Sequence, residues 1–295
     1  MDFQRLAEPE SQALSIFSRF IKYPPDREYC ADYLAARISE QLGWELPNAS
    51  ADDKEFASKG QKFIDSKLTP SQIAEIRKNL QPGSTSGARF EHSVEDILTP
   101  PYLLDLALSE PVLSALANYF GCPPLLSNLR AWWSFVGDGQ GDQVFHRDIP
   151  SIKFCKFFIY LTDVGPADGP HQFIVGSHRF DHIKARLAKE GTSKDLEQFF
   201  ATVDQKVDDG LISKFLSDDL VTITGPAGTT FLEDTYGIHK AVPPTGGSRL
   251  IFHAQYAMTL DATGVDMAVL KERSDWRSRI PDSPLARHAV SPWVV

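Results

Sequence analysis

The amino-acid sequence predicts an α+β protein with a mainly β core, a sandwich or jelly roll, and a helical N-terminal layer packed on it. Up to residue 121, helix start and stop signals dominate. From Cys122 onward, short runs rich in aromatic and β-branched residues are separated by clusters of Gly, Pro and Asp. Long helices do not alternate regularly with these runs, which argues against a parallel sheet. A chain of 295 residues is ample for one such body, and 42% apolar with 23% charged residues excludes a disordered or fibrous protein.

Taken in order, Pro24-Pro25 breaks the first helical stretch, and residues 26–42 read as a helix with Tyr29, Tyr33, Ala36 and Leu42 inward. Thr69-Pro70 is an N-cap followed by proline at the first helical position, ahead of Ile73, Ile76 and Leu80 at helical spacing. Ser109-Glu110-Pro111 repeats that signature before Leu113, Leu116 and Phe120, with Gly121 as the C-terminal cap. The Gly/Ser-rich residues 81–89 read as a loop or flap. Strands are predicted at 125–136, 143–147, 152–164, 172–175, 220–224, 229–232 and 249–259. The chain is read as a single domain: a mainly helical layer (1–121), a β core (122–260) with a helical insertion (180–217), and a tail (261–295). The tail, with Trp276 and Trp293, would either close a surface of the same chain or bridge to a second subunit in a homodimer.

A net charge of −9 lacks the basic excess that binds phosphate backbones, so nucleic acid is not expected as a partner. Three distant cysteines without a CxxC pair signal neither a zinc ribbon nor a disulfide scaffold. The N-terminus is charged where a signal peptide needs an apolar run, and the most apolar stretch, 154–161, contains Lys156 and is too short to span a bilayer. The expectation is a cytoplasmic protein without a membrane partner.

His146-Arg147-Asp148 closes one predicted strand, and alternation places residues i and i+2 on one face. A second histidine, His239, lies beside a later strand. Two imidazoles and a carboxylate form the ligand set of the facial triad that holds non-haem Fe(II). One His-x-Asp pair is close to chance, so spacing alone equally allows a half-buried histidine donating to a strand-end aspartate. Arg249 follows His239 across the turn 243–247, and a hairpin there would return it to His239. An arginine pointing into a barrel needs an anion, and its fork suits a carboxylate; a surface charge at a strand edge is the other reading.

Gln143-x-x-His146-x-Asp148, then Lys156-x-Phe158-x-Tyr160-Leu161-Thr162-Asp163-Val164, Gly169-Pro170, Gly176-Ser177-His178 and His239 followed by Arg249 together resemble the phytanoyl-CoA dioxygenase-like family over roughly residues 125–260. The resemblance implies a double-stranded β-helix and an Fe(II)/2-oxoglutarate-dependent oxygenase. It implies His146, Asp148 and His239 as iron ligands and Arg249 as the partner of the distal carboxylate of 2-oxoglutarate. Lys156 would be a second polar contact to that carboxylate, or an edge-strand gatekeeper, and Gln143 would face the co-substrate or bond within the sheet. Gly169-Pro170, Gly176-Ser177-His178, His171 and His253 read as structural. Val175 stands where relatives usually have proline, which alters a turn and leaves the metal chemistry untouched.

The implied reaction consumes O2, releases succinate and oxidises a small-molecule substrate by hydrogen abstraction, with ascorbate as an auxiliary reductant. In related halogenases a small residue replaces the carboxylate, so Asp148 implies hydroxylation, desaturation or cyclisation instead. Only one of Trp132 and Trp133, and one of Phe157 and Phe158, can face the interior. Two alternatives are a non-redox cupin-type metal enzyme and a non-catalytic small-molecule-binding jelly roll. A third keeps the cofactors and makes a protein side chain the substrate.

Overall fold

The computed structural model describes residues 21, 23–46, 48–65, 67–83, 87–137, 143–190, 194–201, 206–260, 267, 269–272 and 275–294. The middle of the expected flap, and parts of the expected insertion and tail, lie outside the described residues.

Helix α1 (Pro24–Leu42) is the expected helix, starting two residues earlier on the prolines themselves, because the first helical turn has no use for their missing N–H groups. Its buried face is Arg27, Ala31, Ala35, Ile38 and Leu42. Tyr29 and Tyr33, expected inward, are 73% and 59% exposed, and Ala36 is exposed as well. Small side chains explain the reversal: Ala35 packs at Gly121, where a Cβ would stand 3.4 Å from its own. Arg27 turns inward because its guanidinium donates to the Ser151 and Ile152 carbonyls, at 2.6 and 3.2 Å.

Helix α2 (Ala51–Lys59) starts in a Ser50/Asp53 capping box, and α3 (Pro70–Asn79) in a Thr69/Gln72 box that leaves Ile73 and Ile76 buried. Helices α4 (Val94–Leu98), α5 (Tyr102–Ala107) and α6 (Glu110–Phe120) complete the layer, and α6 ends on Gly121 at φ 78°.

Among the described residues, nine strands form two antiparallel sheets: β1 (Gln61–Ile64), β2 (Arg89–Glu91), β3 (Leu125–Ser134), β4 (Phe154–Tyr160), β5 (His171–Ile174), β6 (Leu220–Ile223), β7 (Thr230–Glu233), β8 (His239–Ala241) and β9 (Arg249–Ala257). The major sheet runs β1-β7-β4-β9-β3-β2 and the minor sheet β6-β5-β8. This is the jelly-roll core that the strand pattern predicts. The segment 180–217 does carry helices, α7 (Phe180–Glu190), α8 (Lys194–Ala201) and α9 (Asp209–Phe215). Towards the C-terminus, α10 (Val269–Glu272) precedes α11 (Pro284–Val290). No helix among the described residues is long and apolar enough to cross a membrane.

Three expectations change. The N-terminal region supplies two strands as well as helices: β1 pairs with β7 at one edge and β2 with β3 at the other. Strands of three or four residues are too short to show a period, so pairing rather than sequence makes them. Residues 143–147 form only isolated bridges, Phe145 with Val207 and His146 with His239. Finally, β8 and β9 are not a hairpin: β8 pairs with β5, whereas β9 lies between β4 and β3, so the 243–247 turn crosses from one sheet to the other.

Alternation along the major sheet divides the interior. Trp133, Phe157, Ile159, Phe252 and Ala254 pack against the helical layer. Trp132, Phe158, Tyr160, Phe231 and Ile251 line the opposite face, between the sheets. The indole of Trp133 also donates from Nε1 to the Leu80 carbonyl at 2.7 Å, tying β3 to the end of α3. Trp133→Ala is expected to cost about 3–5 kcal/mol and lower the thermal midpoint by roughly 10 °C, measured by circular dichroism.

Candidate metal centre and its cavity

His146 and His239 face each other as antiparallel bridge partners, each backbone N–H donating to the other's carbonyl at 3.0 Å. Directly paired residues project to the same side of a ladder, and the ring centroids stand 4.4 Å apart. Asp148, two positions on, returns to that side, fixed by its N–H to the Thr235 carbonyl at 2.9 Å. Asp148 Oδ1 lies 3.7 Å from His146 Nε2, and Oδ2 lies 3.4 Å from His239 Nε2. One donor atom from each of the three lies within 4.8 Å of the others.

The tautomers follow from the surroundings. His146 Nδ1 is 2.7 Å from the Val144 carbonyl, and His239 Nδ1 is 3.0 Å from the Gly237 carbonyl. A carbonyl can only accept, so both rings donate from Nδ1, which leaves Nε2 as the atom each ring in its neutral form can offer to a metal. Such outer bonds orient and tune metal-binding imidazoles. Burial, with His239 alongside, pushes the His146 pKa down to about 4. Burial also opposes charge on His239, but the adjacent Asp148 outweighs it and raises that pKa. For Asp148 burial acts upward, yet Lys156 and His239 hold the carboxyl well below its usual range.

Behind these groups, the Gly176-Ser177-His178 turn fastens both segments. Ser177 Oγ accepts from the Ile238 N–H at 2.7 Å, and its carbonyl accepts from Arg147 at 3.2 Å. Arg147 points away from the cavity, and its guanidinium and that of Arg27 each lie over the Tyr236 ring, at 4.8 and 4.9 Å.

The cavity, about 130 Å³, brings together His146, Asp148, His239, Lys156 and Arg249. Arg249 is 2% exposed; it donates to the Gly169 carbonyl and, at 3.5 Å, to Ser134 Oγ. Although β9 belongs to the other sheet, Arg249 thus shares a wall with His239. Lys156 Nζ lies 2.5 Å from Asp148 Oδ2, so the structure places its ammonium on that carboxylate. Gln143 is half-buried and is not among the residues lining the cavity.

Gly169 sits at φ 80°, and a Cβ there would meet the Val242 carbonyl and Pro244 at 2.8 Å. Gly169→Ala is expected to cost about 1–2 kcal/mol from the left-handed backbone alone. It should also displace the carbonyl to which Arg249 donates; the midpoint of chemical unfolding checks the cost.

Glu233 escaped the sequence reading, which took its partner His171 as structural. Glu233 and His171 are buried together, with His171 Nε2 2.7 Å from Glu233 Oε1, and the His171 ring stacks on His239 at 5.4 Å. Burial raises the Glu233 pKa to about 8 and drives that of His171 well below normal. The only signal was a lone acidic residue ending an apolar run. Of the aromatic pairs, Trp132 and Phe158 face the cavity, with Arg89 over the Trp132 ring at 4.4 Å.

Among solved structures, EctD from S. alaskensis with 2-oxoglutarate and 5-hydroxyectoine is similar at a TM-score of 0.52 and 16% identity, over 72% of this chain and 78% of that one. The epimerase SnoN in complex with Fe3+, alpha ketoglutarate and nogalamycin RO gives 0.47 and 18%, over 72% and 83%. HygX from Streptomyces hygroscopicus with nickel and 2-oxoglutarate gives 0.46 and 16%, over 72% and 87%. At these identities the likeness to EctD speaks for the fold. No curated protein matches the sequence. The model of the family phytanoyl-CoA dioxygenase (PhyH) matches residues 59–251, well over half of the sequence, and the chain belongs to that family.

Proposed function

We propose that this chain is an Fe(II)- and 2-oxoglutarate-dependent oxygenase that hydroxylates a small-molecule substrate, or oxidises it otherwise by hydrogen abstraction. The observation that carries the reading is the convergence of His146, Asp148 and His239 on one point of a cavity that a buried arginine also lines. The donor set fits a ferrous ion: two imidazoles with Nε2 lone pairs held by Nδ1–H bonds, and a carboxylate kept ionised. When bound, iron with 2-oxoglutarate and O2 supplies the hydrogen-abstracting oxidant, and the co-substrate leaves as succinate and CO2.

The protein's own part is placement. His146, Asp148 and His239 would hold the ion through three side chains and leave its other positions open. Arg249 would bind the distal carboxylate of 2-oxoglutarate through a guanidinium already desolvated by the fold, so little reorganisation is needed. Lys156 adds a second positive charge to the cavity and keeps Asp148 ionised. A redox-silent metal enzyme would need the same triad but gives Arg249 no anion to hold.

The test is uncoupled turnover. Purified protein given Fe(II), ascorbate and 2-oxoglutarate should form succinate in an oxygen-dependent manner without added substrate. Protein that takes up no Fe(II) and forms no succinate would speak for the binding-module reading.

A further inference from the structure

Beyond Asp148, the cavity adjoins a wider recess lined by Asn128, Arg130, Ile149, Pro150 and Gln255. Arg130, Asp148, Lys156 and His253 border both spaces, so a molecule seated in the recess lies against the metal centre. Register explains the composition: Asn128 pairs with Gln255 and Arg130 with His253 across β3 and β9, placing four polar side chains on the inner face.

Two of these groups are built in but unsatisfied. His253 is 4% exposed, and neither ring nitrogen has a hydrogen-bond partner. Its ring is clasped edge-on by Trp132 and Phe158, at 5.4 and 5.6 Å. Burial keeps it neutral, so it offers one donor and one acceptor. Asn128 Oδ1 is likewise buried without a donor. Arg130 gives Nε to Glu91 at 2.5 Å and makes no hydrogen bond from its Nη edge among the described residues. A hydrocarbon chain would leave the His253 nitrogens and Asn128 Oδ1 unpaired, and buried polar groups without partners are costly. Ile149 and Pro150 are the apolar residue types among those lining the recess.

Building on the oxygenase reading, we infer that this recess is the substrate site and takes a small polar molecule. One anionic group meets Arg130, and an N–H or O–H donor meets Asn128 Oδ1 and the His253 ring. The class is amino acids, hydroxy acids and their derivatives, not fatty acyl chains.

The test uses the Fe(II)- and 2-oxoglutarate-loaded protein under anaerobic conditions. Its visible absorption band and thermal midpoint are recorded with each of the twenty common L-amino acids, with lactate, malate and citrate, and with palmitate and palmitoyl-CoA as apolar probes. At least one polar probe should perturb the band, raise the midpoint and, in air, increase succinate formation at least tenfold. For that probe, His253→Phe keeps the ring but deletes both nitrogens, and should raise the half-saturating concentration about tenfold or more; Arg130→Gln should do the same. Perturbation by palmitate or palmitoyl-CoA alone, or by none of the probes, overturns the inference. If the wild type shows no band before any probe is added, the oxygenase reading itself fails, which keeps the two failures distinguishable.

Discussion

His239→Ala is expected to abolish Fe(II) retention and 2-oxoglutarate turnover together. Removing the bridge partner of His146 would leave two of the three proposed ligands, one of them a carboxylate that Lys156 already engages. Loss of groups that merely orient metal ligands costs roughly 10–100-fold, so loss of a ligand should weaken iron binding by more than about a hundredfold. His146→Ala should behave in the same way, because both rings face Asp148 from one bridge pair. The backbone bonds between residues 146 and 239 do not involve the side chains, so both variants should retain the wild-type far-UV spectrum. Anaerobic titration of Fe(II) in the presence of 2-oxoglutarate reads the binding. A visible charge-transfer band of wild-type intensity in either variant would remove that residue from the ligand set.

Arg249→Ala separates the co-substrate from the metal. Breaking a buried ion pair by deleting one partner costs about 3–5 kcal/mol, or roughly 10²–10⁴ in affinity. The 2-oxoglutarate concentration for half-maximal succinate formation should rise by that factor, far more than iron binding weakens. Arg249→Lys should fall between the two, since an ammonium keeps the charge but not the two-pronged geometry. A wild-type response to limiting 2-oxoglutarate in Arg249→Ala would show that the guanidinium serves its contacts within the fold, the Gly169 carbonyl and Ser134 hydroxyl among them.

Much of this architecture was legible because it obeys short-range rules. Alternation sorts Trp132 from Trp133 and Phe157 from Phe158, and Thr69 and Gly121 mark helix ends through local hydrogen bonding. The gathering of His146, Asp148 and His239 needed motif order as well as spacing, since a lone His-x-Asp is near chance. What escaped depends on distant partners. Arg27 belongs inside because distant groups, the Ser151 and Ile152 carbonyls among them, await it, and that leaves Tyr29 and Tyr33 at the surface. Strands β1 and β2 exist through β7 and β3. Glu233 is tolerated in the interior because of His171, and no local pattern joins residues so far apart.

The crossing of the chain between sheets has a mechanical consequence. The triad hangs from the His146–His239 bridge beside the minor sheet, while Arg249 and Lys156 project from the major sheet. A diacid gripped at one end by the metal and at the other by Arg249 would therefore brace the two walls of the sandwich, as a strut braces a frame. Ligands that bind only the folded state stabilise it by mass action, about 2.7 kcal/mol at a hundred times the dissociation constant. Resistance to heat and proteolysis should then rise more with ion and diacid together than with either alone, so the chain's durability would track the supply of both.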